Sequence, residues 1–96
     1  MITKMMYTVL TELKQPDKNR AIIGEAIKKL GRWAEPVSAS FLVDVDWEAD
    51  RLRNYFRPFL LEGDKLVVLS LGKQWSSYRL SPSVSKWIKA KNRKWA

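Results

Sequence analysis

Residues 39–71 carry a strand–helix–strand pattern, and this pattern constrains the fold more than any other part of the chain. Residues 39–45 are rich in β-branched and aromatic side chains, which favours a strand. An amphipathic helix is predicted next, because its apolar residues are spaced for one helical face: Leu52, Tyr55, Phe56, Phe59 and Leu60. Residues 65–71 form an apolar run of strand length, and we expect both of its faces to be mostly buried.

The residues between these segments indicate where each of them begins and ends. Asp46 is a suitable N-cap for the helix, and Pro58 should end or kink that helix near its last turn. Gly63-Asp64 predicts the turn into the last strand. Asp44 and Asp46 would lie on the same side of an extended strand, so paired metal ligands are an alternative interpretation. Capping and support of the helix dipole account for both acids more simply.

An earlier copy of the strand–helix unit precedes this stretch. Residues 5–13 alternate as a strand does, and Asp17 is expected to cap a helix over residues 18–30 that ends at Gly31. Residues 32–37 are ambiguous, because Pro36 would confine a short strand there to a sheet edge. The order predicts an α+β fold, a ferredoxin-like βαββαβ sandwich over residues 1–80, with an antiparallel sheet and both helices on one face.

The positive charge of the chain is concentrated in its last third. The net charge is +8, yet residues 1–64 hold ten Lys or Arg and ten Asp or Glu, which balance. Residues 65–96 contain eight cations and no acid. Such asymmetry indicates a polyanionic partner, either DNA or RNA or an anionic membrane surface. A solubilising tail is the alternative interpretation.

The basic third also has structural signals of its own. Residues 74–80 are a candidate for a short extra strand, and Ser81-Pro82 predicts the start of a basic C-terminal helix over residues 81–96. The candidate nucleic-acid-binding residues are its cations: Lys73, Arg79, Lys86, Lys89, Lys91, Arg93 and Lys94. Four aromatic residues interleave with them and are able to stack on bases: Trp75, Tyr78, Trp87 and Trp95. For Trp75, Trp87 and Ile88, packing of the tail onto the sheet or a partner subunit is the favoured interpretation. A membrane-surface role ranks last, because the apolar face of the helix is narrow and short.

The chain contains neither Cys nor His, and this removes much enzyme chemistry. A Ser-His or Cys-His pair and imidazole ligation of zinc are impossible. A catalytic metal would be a hard ion held by oxygen atoms, such as Mg²⁺ or Mn²⁺. The lack of disulfides fits a cytoplasmic protein. We interpret the apolar start, residues 1–13, as a strand rather than a signal peptide.

Several short motifs together resemble a known family. They are Thr11-Glu12-Leu13 followed by Pro16, Leu30-Gly31 at a helix end, Ser40-Phe41-Leu42-Val43 in a strand, Pro58 near the end of the second helix, Gly63-Asp64 before the last core strand, and Trp75, Tyr78 and Trp87 in the tail. In this layout the chain resembles the CRISPR-associated protein two superfamily, especially its stand-alone SinR-like branch. The resemblance covers roughly residues 5–90.

The resemblance implies a ferredoxin-like homodimer. Members of the family are described as metal-dependent nucleases and as structural partners of a DNA-bound integrase. Their catalysis is assigned to an Asp at the end of the first strand of each protomer, around a divalent ion. Glu12 stands at that position here, so the resemblance implies Glu12 as catalytic residue and as ligand of Mg²⁺ or Mn²⁺. The alternative for Glu12 is a solvated carboxylate at an exposed strand end.

Two functions of different classes follow from the sequence. The first is a small homodimeric nucleic-acid-binding protein, with metal-dependent nuclease activity through Glu12. The second is a non-enzymatic protein-interaction module, such as a mobile-element regulator or inhibitor, that docks on an acidic protein surface. The substitution of Glu for the family's Asp and the lack of His and Cys favour the second.

Overall fold

A computed structural model describes residues 5–37 and 40–90 of the chain, which form four strands, three α-helices and one 3-10 helix. In chain order the elements are β1 (Met5–Glu12), α1 (Pro16–Lys28), β2 (Trp33–Ala34), β3 (Ser40–Val45), α2 (Ala49–Phe56), a short 3-10 helix (Arg57–Phe59), β4 (Lys65–Ser70) and α3 (Pro82–Ile88). The predicted α+β class is confirmed.

The four strands form one antiparallel sheet in the order β2-β3-β1-β4. β1 is central and pairs with β3 on one side and with β4 on the other. Leu10 of β1 lies opposite Ser40 of β3 and Val67 of β4. Since successive side chains of a strand point to opposite faces, this register fixes which residues share a face.

The first face of the sheet is covered by α1 and α2. Tyr7 and Val9 of β1 and Val43 of β3 pack there against the buried side of both helices. Leu52 and Phe56 of α2 are fully buried in this core. Helical spacing places these two residues one turn apart, so a single stripe of α2 faces the sheet.

The second face is covered only in part, by α3 and the segment that leads into it. Ile88 of α3 is buried against Met6, Ala34 and Leu42, which come from three different strands. Over the β4 side of the same face, Leu10, Val67 and Leu69 are 39%, 44% and 49% exposed. We call these three residues the apolar strip. The expectation that both faces of the last strand are mostly buried was therefore wrong, because no described element lies over this side.

Several predicted boundaries agree with the structure. The regular helix α2 ends at Phe56 and continues as the 3-10 helix that contains Pro58. Gly31 and Gly63 both have positive φ angles, of 92° and 88°, which glycine adopts without steric cost. Ser81 caps α3, and its hydroxyl oxygen accepts a hydrogen bond from the Val84 N–H at 3.3 Å.

The predicted acidic helix caps were wrong. α1 begins at Pro16, with Gln15 as its N-cap, so Asp17 lies in the first turn. Proline has no N–H and a fixed φ, and both properties suit the first helical position. The N-cap of α2 is Glu48 rather than Asp46, because two further residues separate the end of β3 from the helix. Asp17 and Asp50 nevertheless lie in the first turns of α1 and α2. Negative charges there interact favourably with the positive ends of the helix dipoles.

The segment between β4 and α3 is irregular, and the extra strand expected over residues 74–80 is absent from it. Arg79 has a φ of 61°, which lies in the left-handed region and is incompatible with a strand. The segment crosses the second face instead of extending the sheet. Of the basic helix predicted over residues 81–96, the structure describes only the short helix α3, which ends at Ile88 and contains one cation, Lys86. Residues 91–96 lie outside the described residues.

Candidate nucleic-acid interface

Glu12 is the last residue of β1 and lies on the second face, together with the apolar strip. The strand register places it opposite Lys65, the first residue of β4. The Lys65 Nζ lies 3.9 Å from the Glu12 Oε2, and the two side chains are 75% and 63% exposed. An ion pair this open to water contributes little to stability, on the order of 0–1 kcal/mol. The Glu12 carboxylate is accessible and has a cation as its close neighbour.

Asp64 fixes the loop that follows Glu12. Its carboxylate accepts hydrogen bonds from the Lys14 N–H at 2.8 Å and from the Leu61 N–H at 2.7 Å. The Asn19 Nδ2 donates to it at 2.8 Å and to the Phe59 carbonyl at 3.0 Å. These bonds join the end of β1, the start of α1 and the turn before β4. They hold Glu12 and Lys65 at neighbouring strand ends.

The same hydrogen bonds lower the pKa of Asp64 below its ordinary value. The Lys14 backbone N–H has the largest effect and the Leu61 N–H the next, because both stabilise the ionised carboxylate. Gly63 is needed beside it, since a Cβ there would lie 3.1 Å from the Lys14 side chain and the backbone φ is positive. The Gly63-Asp64 turn is thus a structural support of the Glu12 site. The role of Asn19 could not be predicted from local sequence, because 45 residues separate it from Asp64.

The acidic side chains in the described part of the chain are dispersed. Among residues 5–37 and 40–90, no three acidic side chains come together. Asp44, the alternative candidate, is buried, and its Oδ2 lies 3.6 Å from the Arg32 NH1. Asp46 is exposed beyond the end of β3. Mg²⁺ or Mn²⁺ at Glu12 would complete its coordination with oxygen atoms from water, a bound substrate or a second copy.

The described candidate cations are all exposed, and they lie in the tail that follows β4. Lys73 and Arg79 lie in the irregular segment, Lys86 lies in α3, and Lys89 follows α3 directly. Within the described ranges none of these four forms an ion pair with an acid. The other three candidates, Lys91, Arg93 and Lys94, lie outside the described residues.

The aromatic residues of the tail divide into packed and exposed ones. Trp87 packs with Ile88 over the second-face cluster, as the sequence predicted. Trp75 is 42% exposed and Tyr78 is 79% exposed. The guanidinium carbon of Arg79 lies 4.9 Å from the centre of the Tyr78 ring, which is a cation–π distance. Trp95 lies outside the described residues.

Comparison of the chain with family models, curated proteins and solved structures gave no significant match. No helix in the described part of the chain has the length and apolarity needed to cross a membrane.

Proposed function

We propose that this chain is a homodimeric nucleic-acid-binding protein of the cytoplasm, with a ferredoxin-like sandwich similar to that of the CRISPR-associated protein two superfamily. The strand order β2-β3-β1-β4, with α1 and α2 on one face, supports the ferredoxin-like arrangement. The observation that carries the function is the basic last third. It has no acid, and its described cations from Lys73 onward are all exposed.

The proposal that these cations bind phosphates is supported by the lack of acids in the same part of the sequence. A run of like charges repels itself and contributes nothing to folding unless an anion lies among the charges. Acids in the first 64 residues balance the cations there, but the tail contains none. DNA and RNA supply regularly spaced anions, and each phosphate that a cation neutralises releases counterions.

Binding is tested with labelled DNA and RNA and a pair of charge variants. The double variant Lys86→Gln/Lys89→Gln removes two exposed cations from the tail. Its control, Lys28→Gln/Lys29→Gln, removes two exposed lysines at the end of α1. Fluorescence anisotropy at fixed salt should show weaker binding for the tail variant and near wild-type binding for the control. Equal effects of the two variants would mean that net charge, not the tail, governs binding.

The homodimer is supported by the apolar strip. Leu10, Val67 and Leu69 present apolar side chains on one face of an edge strand and its neighbour, where nothing in the described part of the chain covers them. A second copy related by a two-fold axis would cover them with the same residues of its own. Glu12 lies next to Leu10 on this face, so such a contact brings the two Glu12 carboxylates towards each other.

Light scattering after size exclusion tests the dimer. Leu69→Lys places a charge in the strip and should convert a dimer to a monomer. Ile22→Lys is the matched control, because Ile22 is 50% exposed on α1 and lies outside the strip. A wild-type monomer, or a dimer that withstands Leu69→Lys, contradicts the proposed interface.

Metal-dependent hydrolysis through Glu12 is the catalytic part of the proposal. Paired carboxylates at the dimer axis would hold Mg²⁺ or Mn²⁺, which prefer oxygen ligands. The ion would stabilise charge on the phosphodiester. Glu12→Gln should abolish magnesium-dependent cleavage, while Glu25→Gln, on exposed α1, should not. Cleavage that survives Glu12→Gln excludes this site and leaves binding as the function.

A non-enzymatic module that docks on an acidic protein is the second candidate. The apolar strip favours it, because nucleic acid offers little apolar surface to cover such a patch. This function predicts a wild-type monomer that retains a protein partner after nuclease treatment. Loss of every partner on nuclease treatment supports nucleic-acid binding instead.

A further inference from the structure

The second face carries a groove that the phosphate contacts described above do not use. Its floor is apolar, formed by Leu42, Leu71, Leu80 and Ile88, and its volume is about 290 Å³. Trp75 and Tyr78 line one side of it. This volume is near the lower end for clefts that hold small ligands, about 300 Å³.

Tyr78 is exposed in a way that folding does not explain. Its side chain is 79% exposed, the largest fraction among the exposed large hydrophobic residues of the described chain. The Arg79 guanidinium lies over the ring and covers one of its faces. The backbone of Arg79 is in the left-handed region, which residues other than glycine rarely adopt and which is often found at ligand-binding positions. The local chain thus presents a ring with a cation behind it.

The cations that neighbour the groove residues in sequence indicate the kind of ligand that the groove would bind. Lys73 and Arg79 lie on either side of Trp75 and Tyr78 in sequence, and Lys89 follows Ile88. Glu35, which precedes the lining residue Pro36, has its Oε2 4.0 Å from the Arg20 NH2. A flat π surface between cations fits a ligand that has a planar ring and a phosphate. An unpaired nucleotide has both, whereas the bases of a duplex are stacked on one another and have no accessible face.

We propose that the Trp75–Tyr78 groove binds an unpaired nucleobase of single-stranded DNA or RNA, with the base stacked on Tyr78 and the adjacent phosphates held by Lys73 and Arg79. This site rests on the proposed nucleic-acid binding and defines its preference. The basic tail alone would bind single strands and duplexes through phosphates, and the Tyr78 ring adds a contact that only an unpaired base makes.

The test compares one labelled oligonucleotide as a single strand and as a blunt duplex, with full-length protein. Tyr78→Ala should weaken binding of the single strand about tenfold, or about 1.4 kcal/mol, and change duplex binding less than about twofold. Tyr78→Phe keeps the ring and should restore single-strand affinity. Ile22→Ala, which truncates a half-exposed apolar side chain on α1, should change neither affinity. Thermal denaturation checks that Tyr78→Ala is folded.

The results distinguish failure of the stacking site from failure of the proposed nucleic-acid binding. Wild-type single-strand affinity in Tyr78→Ala overturns the stacking site and leaves phosphate binding by the tail intact. An equal loss on both substrates, or no rescue by Tyr78→Phe, also overturns it. A wild-type protein that binds neither substrate overturns the proposed function and the stacking site together.

Discussion

The two faces of the sheet are covered to very different extents. On the first face, α1 and α2 together bury a core in which Leu52, Phe56 and Val43 are fully inaccessible. On the second face, seven-residue α3 shelters one side, and the apolar strip stays exposed on the other. The difference separates folding from binding. The first face supplies the stability, while Glu12 and the exposed aromatic residues Trp75 and Tyr78 lie on the face that is left partly open.

The largest expected effect is on the first face. Phe56→Ala removes a fully buried ring from beneath α2 and should lower the free energy of unfolding by about 3–5 kcal/mol. Leu69→Ala, on the open side of the second face, should cost less than about 1 kcal/mol in dilute protein. Urea denaturation measures both. Similar losses for the two variants would contradict the difference between the faces.

The covered side of the second face should show an intermediate effect. Ile88→Ala deletes the anchor of α3 and should cost about 2 kcal/mol, the lower end for such changes, because its cluster is small. Hydrogen exchange should become faster in α3 and stay slow in α2. Ser83→Ala, an exposed change in the same helix, is the control. Unchanged protection of α3 would show that Ile88 does not hold the tail on the sheet.

Substitution of Asp64 should have the smallest effect on stability, and this effect is recognised by its dependence on pH. The pKa of Asp64 is lower in the folded chain than its ordinary value of 3.8, so the ionised form stabilises the fold above about pH 4. This contribution is lost as the pH falls through the folded pKa. Asp64→Asn should therefore be less stable than wild type near neutral pH, and the difference should shrink on acidification.

Chemical denaturation at several pH values measures this difference for Asp64→Asn. Glu62→Gln, an exposed neighbour in the same turn, is the control. A difference for Asp64→Asn that is constant across the acid range would show that the carboxylate charge contributes nothing.

Local signals in the sequence predicted most of the elements. Alternation identified β1, and β-branched and aromatic residues identified β3. Pro58 marked the end of α2, and Ser81-Pro82 marked the start of α3. Each of these depends on residues close together in the chain, so a single sequence is enough to find it. The predicted cap of α1 was wrong because the helix already begins at Pro16, one residue before Asp17.

The coverage of β4 could not be predicted, because an apolar run does not tell which element lies over it. Val67 and Leu69 have the same residue types as a buried strand, and only the path of the tail leaves them exposed. The pairing of residues at the candidate site could not be predicted either. Glu12 was expected at the end of the first strand, but its pairing with Lys65 depends on the strand register. The Asp64–Asn19 bond likewise appears only once the chain is folded.

The salt dependence of nucleic-acid binding tests the central claim most directly. If the tail cations from Lys73 to Lys94 contact phosphates, the logarithm of the binding constant should fall linearly with the logarithm of salt concentration, with a slope between about −3 and −6. Titration of labelled oligonucleotide at four or more salt concentrations gives this slope, and Lys86→Gln/Lys89→Gln should reduce its magnitude by about 1–2. An affinity that does not change with salt, or no binding at low salt, would contradict the account.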